Sequence, residues 1–277
     1  MSPSALHVAI LDQLIQPKVF IKIPSIMTPS KELISVSIND HIRVALTKAS
    51  EGPFDQLPVL DNKARIVGLV YMDKLQGCSS EATVSDYLIP LAECKPLRTT
   101  DGISKAVRIL HTQPANLVVD GEKVVGLVHR SDLNKHPART YFYLWLSALE
   151  MGLARLVALR LPDNAWVELL GEQAQIQVLG KMEFESRRNN SIAPSEYLDL
   201  SDLVGIIKKN EPLQRELGFD SRSKLEGEIG GLVQLRHTIM HPVRTLVSGA
   251  ESMNTLVDRE KRLRAITLTV QRILKRA

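Results

Sequence analysis

The stretch LPVLDNKARIVGLVYMDKL (Leu57–Leu75) returns later in the chain as ANLVVDGEKVVGLVHRSDL (Ala115–Leu133). Gly68 in the first copy falls on Gly126 in the second, 58 residues further on. Each copy holds an apolar run, a turn that begins with Asp, and a second apolar run, which is the pattern of a β-hairpin. The repetition therefore predicts two copies of one supersecondary unit.

A second pair of stretches extends the repeat toward the N-terminus. IMTPSKELISVSINDHIRVAL (Ile26–Leu46) is echoed by YLIPLAECKPLRTTDGISKAV (Tyr87–Val107), with the matched prolines and aspartates 61 residues apart. A helical pattern follows each aspartate, at residues 41–49 and 103–111. Because this offset exceeds the hairpin offset by three, the connecting loops must differ in length. Each unit is thus predicted to be about 60 residues of β-α-β-β-α. The aspartate near the end of each hairpin, Asp73 or Asp132, is predicted to be a helix N-cap.

This arrangement resembles a tandem pair of CBS domains over residues 18–136, with units of about 18–78 and 79–136. The residues that carry the resemblance are the hairpin and the ending GLVHRSDL, in which Asp132 follows Gly126 by six positions. The resemblance implies a cleft between the repeats that binds an adenine nucleotide of the ATP, ADP or AMP type as a regulatory ligand. A carboxylate suits the ribose of such a ligand because it accepts two hydrogen bonds from a vicinal diol.

The two units match this signature unequally. In the second, His129 stands where the family usually has Thr; in the first, Tyr71 does so and Lys74 occupies the position aligned with Asp132. The resemblance therefore implies one nucleotide site, and its candidate residues are Asp132, His129, Ser131 and Thr100. The alternative is that Asp132 only caps a helix and that the pair is a structural dimerisation module.

The second half of the chain has a different pattern. From Tyr141 onward apolar residues recur at helical spacing, and the polar, Pro-containing segment 134–140 is a natural linker. The segment that ends at Pro242 and the last segment, 251–276, are the clearest helices, because Pro stops the first and an apolar stripe marks the second. Residues 140–277 are predicted to form an all-α domain of about five helices.

The segment LRHTIMHPVR (Leu235–Arg244) admits three interpretations. His237 and His241 share a helix face at i,i+4 spacing, as in zinc sites, but Thr238 stands where the zinc-protease motif has Glu. The histidines could instead be exposed residues near a helix end, where an imidazolium is favoured. Finally, a His of near-neutral pKa and an Arg fork can cleave RNA, since one transfers protons and the other stabilises charge on phosphate oxygens. Arg236 and His241 lie about 140° apart around an ideal helix, so they would converge only on a cleft.

The motif RHTIMH also resembles the Arg-x4-His motif of the HEPN superfamily. Two further stretches of residues 140–277 support the resemblance: YLDLSDLVGIIKKN (Tyr197–Asn210), and LSALEMGLARLVALRL with its polar residues Glu150 and Arg155. The predicted fold class is therefore α+β, with an N-terminal tandem CBS pair and a C-terminal all-α HEPN helical bundle.

The HEPN resemblance implies a metal-independent, toxin-like endoribonuclease that needs no cofactor for catalysis. Its two protomers would pair so that both motifs face one composite cleft. His241 would be the acid or base, Arg236 would anchor the transition state, and His237 would orient His241 or contact phosphate. The alternative is a catalytically silent HEPN module for dimerisation or binding, attached to a nucleotide sensor.

Composition sets broad limits on these hypotheses. The chain of 277 residues has a hydrophobic content of 44%, enough for two cores, and a net charge of +4, which permits but does not demand a polyanionic partner such as RNA. Two cysteines make no disulfide framework, and we find neither a signal peptide nor an apolar run of about 18 residues. We therefore expect a cytoplasmic protein that does not enter a membrane. The HEPN resemblance adds the expectation of a homodimer with RNA as substrate and an antitoxin as a further candidate partner.

Overall fold

The structure, a computed structural model, describes residues 21–52, 54–188 and 193–277. They divide into two compact units. The repeat unit comprises 21–52, 54–139 and 246–257; the helical unit comprises 140–188, 193–245 and 258–277. The first residues of the predicted repeat region, 18–20, lie outside the described residues. The predicted domain bounds, 18–136 and 140–277, stay predictions.

The described residues of the repeat unit contain eight short strands and four α-helices. Each repeat has the predicted β-α-β-β order, preceded by one additional short strand, and the second hairpin is followed by a 3₁₀ turn and not by the predicted α-helix. The strands are β1 Thr28–Pro29, β2 Val36–Ser37, β3 Gln56–Leu60, β4 Ile66–Tyr71, β5 Ile89–Pro90, β6 Leu97–Arg98, β7 Ala115–Asp120 and β8 Lys123–His129. The helices are α1 Ile42–Ser50, α2 Met72–Leu75, α3 Leu91–Cys94 and α4 Ile103–Thr112. Both predicted hairpins are present, as antiparallel pairs of β3 with β4 and of β7 with β8.

The leading strand of each repeat pairs with the hairpin of the other repeat. One sheet has the order β1-β8-β7-β6 and the other β2-β3-β4-β5, so β1 joins the second hairpin and β5 joins the first. In both cases a Pro lies opposite a Gly: Pro29 faces Gly126, and Pro90 faces Gly68. The repeats therefore exchange strands, and neither sheet is built from one repeat alone.

The strand exchange explains why both hairpins carry a glycine at the same position. A Cβ on Gly68 would lie 2.1 Å from the carbonyl oxygen of Ile89, and a Cβ on Gly126 would lie 2.6 Å from that of Thr28. Backbone atoms cannot yield as a flexible side chain can, so only glycine admits the exchanged strand at this distance.

The repeated aspartates close equivalent turns. The Asp40 carboxylate accepts a hydrogen bond from the Ser37 amide at 2.8 Å, and Asp101 accepts one from the Arg98 amide at 2.7 Å. Each turn directs the chain into a helix, α1 or α4, whose apolar face is buried. A hydrophobic cluster, in which Leu69 packs with residues of β7 and β8, joins the two repeats. The repeat unit is thus stabilised as a pair.

The helical unit confirms the predicted change of pattern. Its α-helices are α5 His136–Arg160, α6 Glu172–Arg187, α7 Leu200–Lys209, α8 Glu211–Glu216, α9 Arg222–Met240 and α10 Ala250–Arg276, where α5 and α10 begin within the repeat unit. Helix α9 ends just before Pro242, as predicted. Gly152 permits close packing of α5 on α10, because an added Cβ would lie 2.8 Å from Cγ1 of Val270.

The predicted linker at 134–140 is wrong in conformation. A 3₁₀ turn, Arg130–Asn134, is followed almost directly by α5, which begins at His136. Pro137 suits this position, because the first-turn amides of a helix have no intrahelical acceptor and the loss of one costs little.

Helix α5 is long and apolar enough to cross a bilayer by length and composition, with a mean hydropathy of 1.4 over 18 residues. However, 56% of that window is buried inside the protein. The core helix of a globular unit passes the same test, so this helix is weak evidence for a membrane span.

Candidate functional sites

The first candidate site is the Asp132 turn, residues 129–135, which follows β8. One carboxylate oxygen of Asp132 accepts the His129 amide hydrogen at 2.7 Å, and the other lies 2.7 Å from Nζ of Lys135. The His129 ring in turn accepts the Ser131 amide hydrogen at Nδ1, at 3.1 Å. Lys135 also donates to the carbonyl of Ile26 at 2.6 Å. These bonds form a capping box that orders the turn.

The predicted N-cap role of Asp132 is wrong. The N-cap residue of this turn is His129, and Asp132 occupies the third position, from which its carboxylate bonds back to the cap. In the first repeat the corresponding N-cap is Tyr71 and not Asp73. The reason is that β8 and β4 continue to His129 and Tyr71, so the helical turn starts directly behind the strand. With only 6% of its surface exposed, Asp132 has both oxygens engaged.

Burial lowers the pKa of His129 below its usual 6.5, against the opposing pull of the carboxylates of Asp132 and then Asp55. A neutral ring fits the geometry, because Nδ1 must keep a lone pair to accept the Ser131 amide hydrogen. Nε2 of His129 lies 4.0 Å from the Asp55 carboxylate, at the start of the neighbouring hairpin.

The counterpart of His129 in the first repeat makes an equivalent contact across the pair. The Tyr71 hydroxyl donates to the carbonyl of Ala115 at 3.3 Å, and burial raises its pKa to about 12. Tyr71 ends β4 and reaches Ala115, which begins β7. His129 ends β8 and approaches Asp55, which directly precedes β3. They therefore lie between the repeats, where the sequence places the cleft.

The fourth predicted ligand residue, Thr100, follows β6. It is exposed, and its carbonyl accepts a hydrogen bond from Nζ of Lys22 at 3.0 Å. Among the described residues, the hydrogen bonds of the Asp132 turn join His129, Ser131 and Asp132 and do not include Thr100.

The second candidate site, the Arg236 cluster, consists of Glu150, Asp199, Asp202 and Arg236. Helix α5 supplies Glu150, whose carboxylate forms an ion pair with Nε of Arg236 on α9 and accepts the Leu200 amide hydrogen at 3.2 Å. Asp199 caps α7 in a reciprocal capping box with Asp202. Three helices thus meet around one guanidinium, whose side chain is 32% exposed.

Burial is the main influence on the pKa of Glu150 and of Asp202. It raises the pKa of Glu150 above the usual value, although the positive charge of Arg236 opposes this rise. Burial also raises the pKa of Asp202, which lines an open groove of about 650 Å³ between α7 and the start of α6. Glu172 and Lys209 line the same groove, so its charge is mixed and does not form a basic track.

His237 and His241 lie on the last turn of α9 and are both exposed. Their ring centroids are 4.5 Å apart in a T-shaped contact, and the amide of His241, which ends the helix, donates to the carbonyl of His237. Desolvation, followed by the positive charges of Arg244, His241 and Arg236, lowers the pKa of His237. In the part of the chain that the structure describes, no group of three or more His, Cys, Asp or Glu side chains could hold a metal ion.

Residues 25–77 and 84–139 each match the model of the CBS domain. This part of the chain is a tandem CBS pair. The predicted recognition and fold are thereby confirmed for the first half, and the second half is confirmed as helical.

Solved structures similar to the chain include several CBS domains. The CBS domains of a transcriptional regulator from Streptococcus pneumoniae are 17% identical and cover 41% of this chain and 96% of their own, with a TM-score of 0.36. The CBS domain of a bacterial CNNM/CorC family Mg²⁺ transporter in complex with ATP is 19% identical, with coverages of 47% and 91% and a TM-score of 0.36. CBSX2 in complex with AMP is 25% identical, with coverages of 40% and 92% and a TM-score of 0.34. No curated protein matches the chain.

The sequence did not identify three residues that complete these sites. Lys135 occupies one oxygen of Asp132, Asn134 binds the backbone of residues 246–247, and Asp202 lies at the Arg236 cluster. Glu150 carries a signal, because it is an acid within an apolar helical stretch. Lys135 and Asn134 lie in a segment whose polarity resembles that of a linker, and nothing local distinguishes them.

Proposed function

We propose that the CBS pair binds an adenine nucleotide at the Asp132 turn and thereby regulates a metal-independent, HEPN-type endoribonuclease in the helical unit. The observation that supports the nuclease is a half-buried arginine, held by a carboxylate, on the same helix end as two exposed imidazoles in ring contact. RNA, a homodimeric partner and a cytoplasmic location belong to this proposal. An antitoxin is a further candidate partner.

In the proposed reaction the 2′-hydroxyl of RNA attacks the adjacent phosphorus and the bond to the 5′-oxygen breaks. A base removes the hydroxyl proton, and an acid protonates the departing 5′-oxygen. His241 serves as the acid or base, and His237, in contact with its ring, orients it. Glu150 holds Nε of Arg236, and the terminal nitrogens of the guanidinium would take the phosphate oxygens.

At the Asp132 turn, the ribose hydroxyls would replace Lys135 as the partners of one carboxylate oxygen. The other oxygen would keep the His129 amide, so the turn would remain ordered. His129, Ser131 and Thr100 are the further candidate contacts of the nucleotide.

A second function is favoured by the same contacts. Because Arg236 is paired with Glu150, the cluster could serve stability alone, and the helical unit would then be a catalytically silent dimerisation or binding module. Likewise, the engagement of both Asp132 oxygens is what a purely structural capping box requires.

RNA cleavage in EDTA tests the nuclease. Wild type should cleave, and His241→Ala should lose about 10²–10⁴-fold in rate, as expected for the removal of an acid–base group. Arg236→Lys should also lose activity, because lysine keeps the charge but not the fork. His111→Ala, an exposed histidine in the CBS pair, is the matched control and should cleave like wild type. Absence of cleavage by the folded protein would favour the silent module, and equal rates for wild type and His241→Ala would remove His241 from the reaction.

Calorimetry with AMP and with ATP tests the nucleotide site. Asp132→Asn should bind either nucleotide more weakly than wild type, because an amide has one acceptor atom, which cannot serve both the His129 amide and the ribose hydroxyls. Asp73→Asn provides the control, since Asp73 belongs to the repeat whose aligned position holds Lys74. Equal affinities for wild type and Asp132→Asn would remove Asp132 from the site.

A further inference from the structure

Asn134 ends the Asp132 turn and forms three hydrogen bonds with a distant segment of the repeat unit. Its Oδ1 accepts the amide hydrogens of Leu246 at 2.7 Å and Val247 at 3.0 Å, and its Nδ2 donates to the carbonyl of Val247 at 2.8 Å. Leu246 and Val247 are buried. One side chain thus fixes the backbone of both residues, an arrangement that we call the Asn134 clamp.

The clamped segment follows the histidine motif closely in sequence. Leu246 is five residues after His241, and the intervening turn is tightened by a hydrogen bond from the Arg244 amide to the His241 carbonyl at 2.9 Å. A displacement at Leu246 would therefore reach His241 through a connection of only four residues, 242–245.

The other end of the clamp belongs to the Asp132 turn. Lys135, the residue after Asn134, binds Asp132 through its ammonium group and donates its amide hydrogen to the Asp132 carbonyl at 3.1 Å. A diol that displaced the Lys135 ammonium from the Asp132 carboxylate would remove one of the bonds that hold this end of the turn. Asn134 directly precedes Lys135 in the chain, so a movement of Lys135 would act on it.

We propose that the Asn134 clamp transmits nucleotide binding at the Asp132 turn to His237 and His241, through residues 242–247. This inference rests on the proposed nucleotide site and names the route by which that site regulates the histidine motif. A ligand shifts the balance between two arrangements of a protein only if it binds them with different affinity. Competition between the ribose diol and Lys135 for the Asp132 carboxylate provides that difference.

Hydrogen exchange of the full chain, with and without AMP or ATP, tests the proposal. In wild type, nucleotide should change amide exchange both at the Asp132 turn and at residues 241–247. In Asn134→Ala the nucleotide should still bind and change exchange at the turn, but the change at 241–245 should be lost. Asn62→Ala is the matched control, because Asn62 makes one surface hydrogen bond, with Asn39, and should respond like wild type.

A Gly-Gly insertion after Thr245 keeps the clamp but adds slack, and it should also abolish the response at 241–245. This second variant decides the matter if Asn134→Ala does not fold. A response at 241–245 that persists in either folded variant would overturn the proposal, as would nucleotide binding by wild type without any response there. If calorimetry detects no AMP or ATP binding to wild type, the proposed nucleotide site fails together with this inference.

Discussion

At the scale of single residues, the Asp132 turn depends on an imidazole as its cap. His129 Nδ1 accepts the Ser131 amide hydrogen, which requires that nitrogen to be unprotonated, and burial disfavours the charged ring. The ligand candidate with the clearest structural role is therefore His129, and its role depends on pH.

The lowered pKa of His129 predicts a loss of stability in acid. Above pH 6.5 the His129 ring is neutral in the folded and the unfolded chain, so its titration does not change the free energy of unfolding. As the pH falls below 6.5, the unfolded chain binds a proton that the folded turn resists, so the free energy of unfolding decreases. In His129→Asn the cap is retained without titration, so chemical denaturation from pH 7 to pH 5 should destabilise wild type more than this variant. His111→Asn provides the control, and parallel pH profiles for wild type and His129→Asn would contradict the prediction.

Glu150 is predicted to stabilise the helical unit through Arg236. Glu150→Ala removes the partner of a half-buried guanidinium and the acceptor of the Leu200 amide, which should lower the free energy of unfolding by about 1–3 kcal/mol. Arg236→Ala combined with Glu150→Ala should cost less than the two single changes together, and denaturant titrations of a double-mutant cycle measure this. The exposed pair Glu183 and Arg187 is the control, and its removal should cost less than about 1 kcal/mol. Additive losses at Glu150 and Arg236 would show that the pair contributes nothing.

At the scale of elements, strand exchange is the feature that makes the CBS pair one structure. A leading strand of two residues, β1 or β5, is too short to be stable by itself and gains its hydrogen bonds from the other repeat. The glycine opposite each leading strand admits its backbone. Each proline of a leading strand therefore pairs with the glycine of the other repeat.

Gly68→Ala and Gly126→Ala should each destabilise the CBS pair. The added methyl group would meet a backbone carbonyl oxygen, so the exchanged strand must shift or detach, at a cost of about 1–3 kcal/mol or more. Gly180→Ala on α6 is the control: no atom lies within 4 Å of its Cβ, and alanine should stabilise the helix by about 0.5–1 kcal/mol. Thermal denaturation of the three variants measures these effects. Wild-type stability in Gly68→Ala would show that β5 is not held as the structure has it.

At the scale of the whole molecule, the proposed nuclease needs two protomers, because the HEPN resemblance implies a composite cleft that both motifs face. The rate of RNA cleavage per protomer should therefore fall on dilution, at the concentration where sedimentation shows the dimer dissociating. A mixture of Arg236→Ala and His241→Ala proteins should exceed either variant alone. A rate per protomer that stays constant across dissociation would place the complete site in one chain.

The sequence predicted the repeats, the hairpins and the helical second half, because these follow from patterns within about 60 residues. The bounds of α1, α4 and α10 and the end of α9 were predicted to within about two residues, since a turn aspartate, an apolar stripe or a proline marks them. Strand exchange was not predicted, because an offset between repeats shows that two segments are alike and not which segment pairs with which. The N-cap at His129 was also missed, because the length of β8 determines where the turn begins.

The sequence by itself determined what each segment is: its period, its turn residues and its capping residues depend on neighbours a few positions away. Only the tertiary structure decided what each polar side chain binds. Glu150 reaches Arg236, and Asn134 reaches Val247 across more than a hundred residues. Such pairs leave no local trace, because a charged or amide side chain is soluble at many positions, and it gains a specific partner only when folding buries the two groups together.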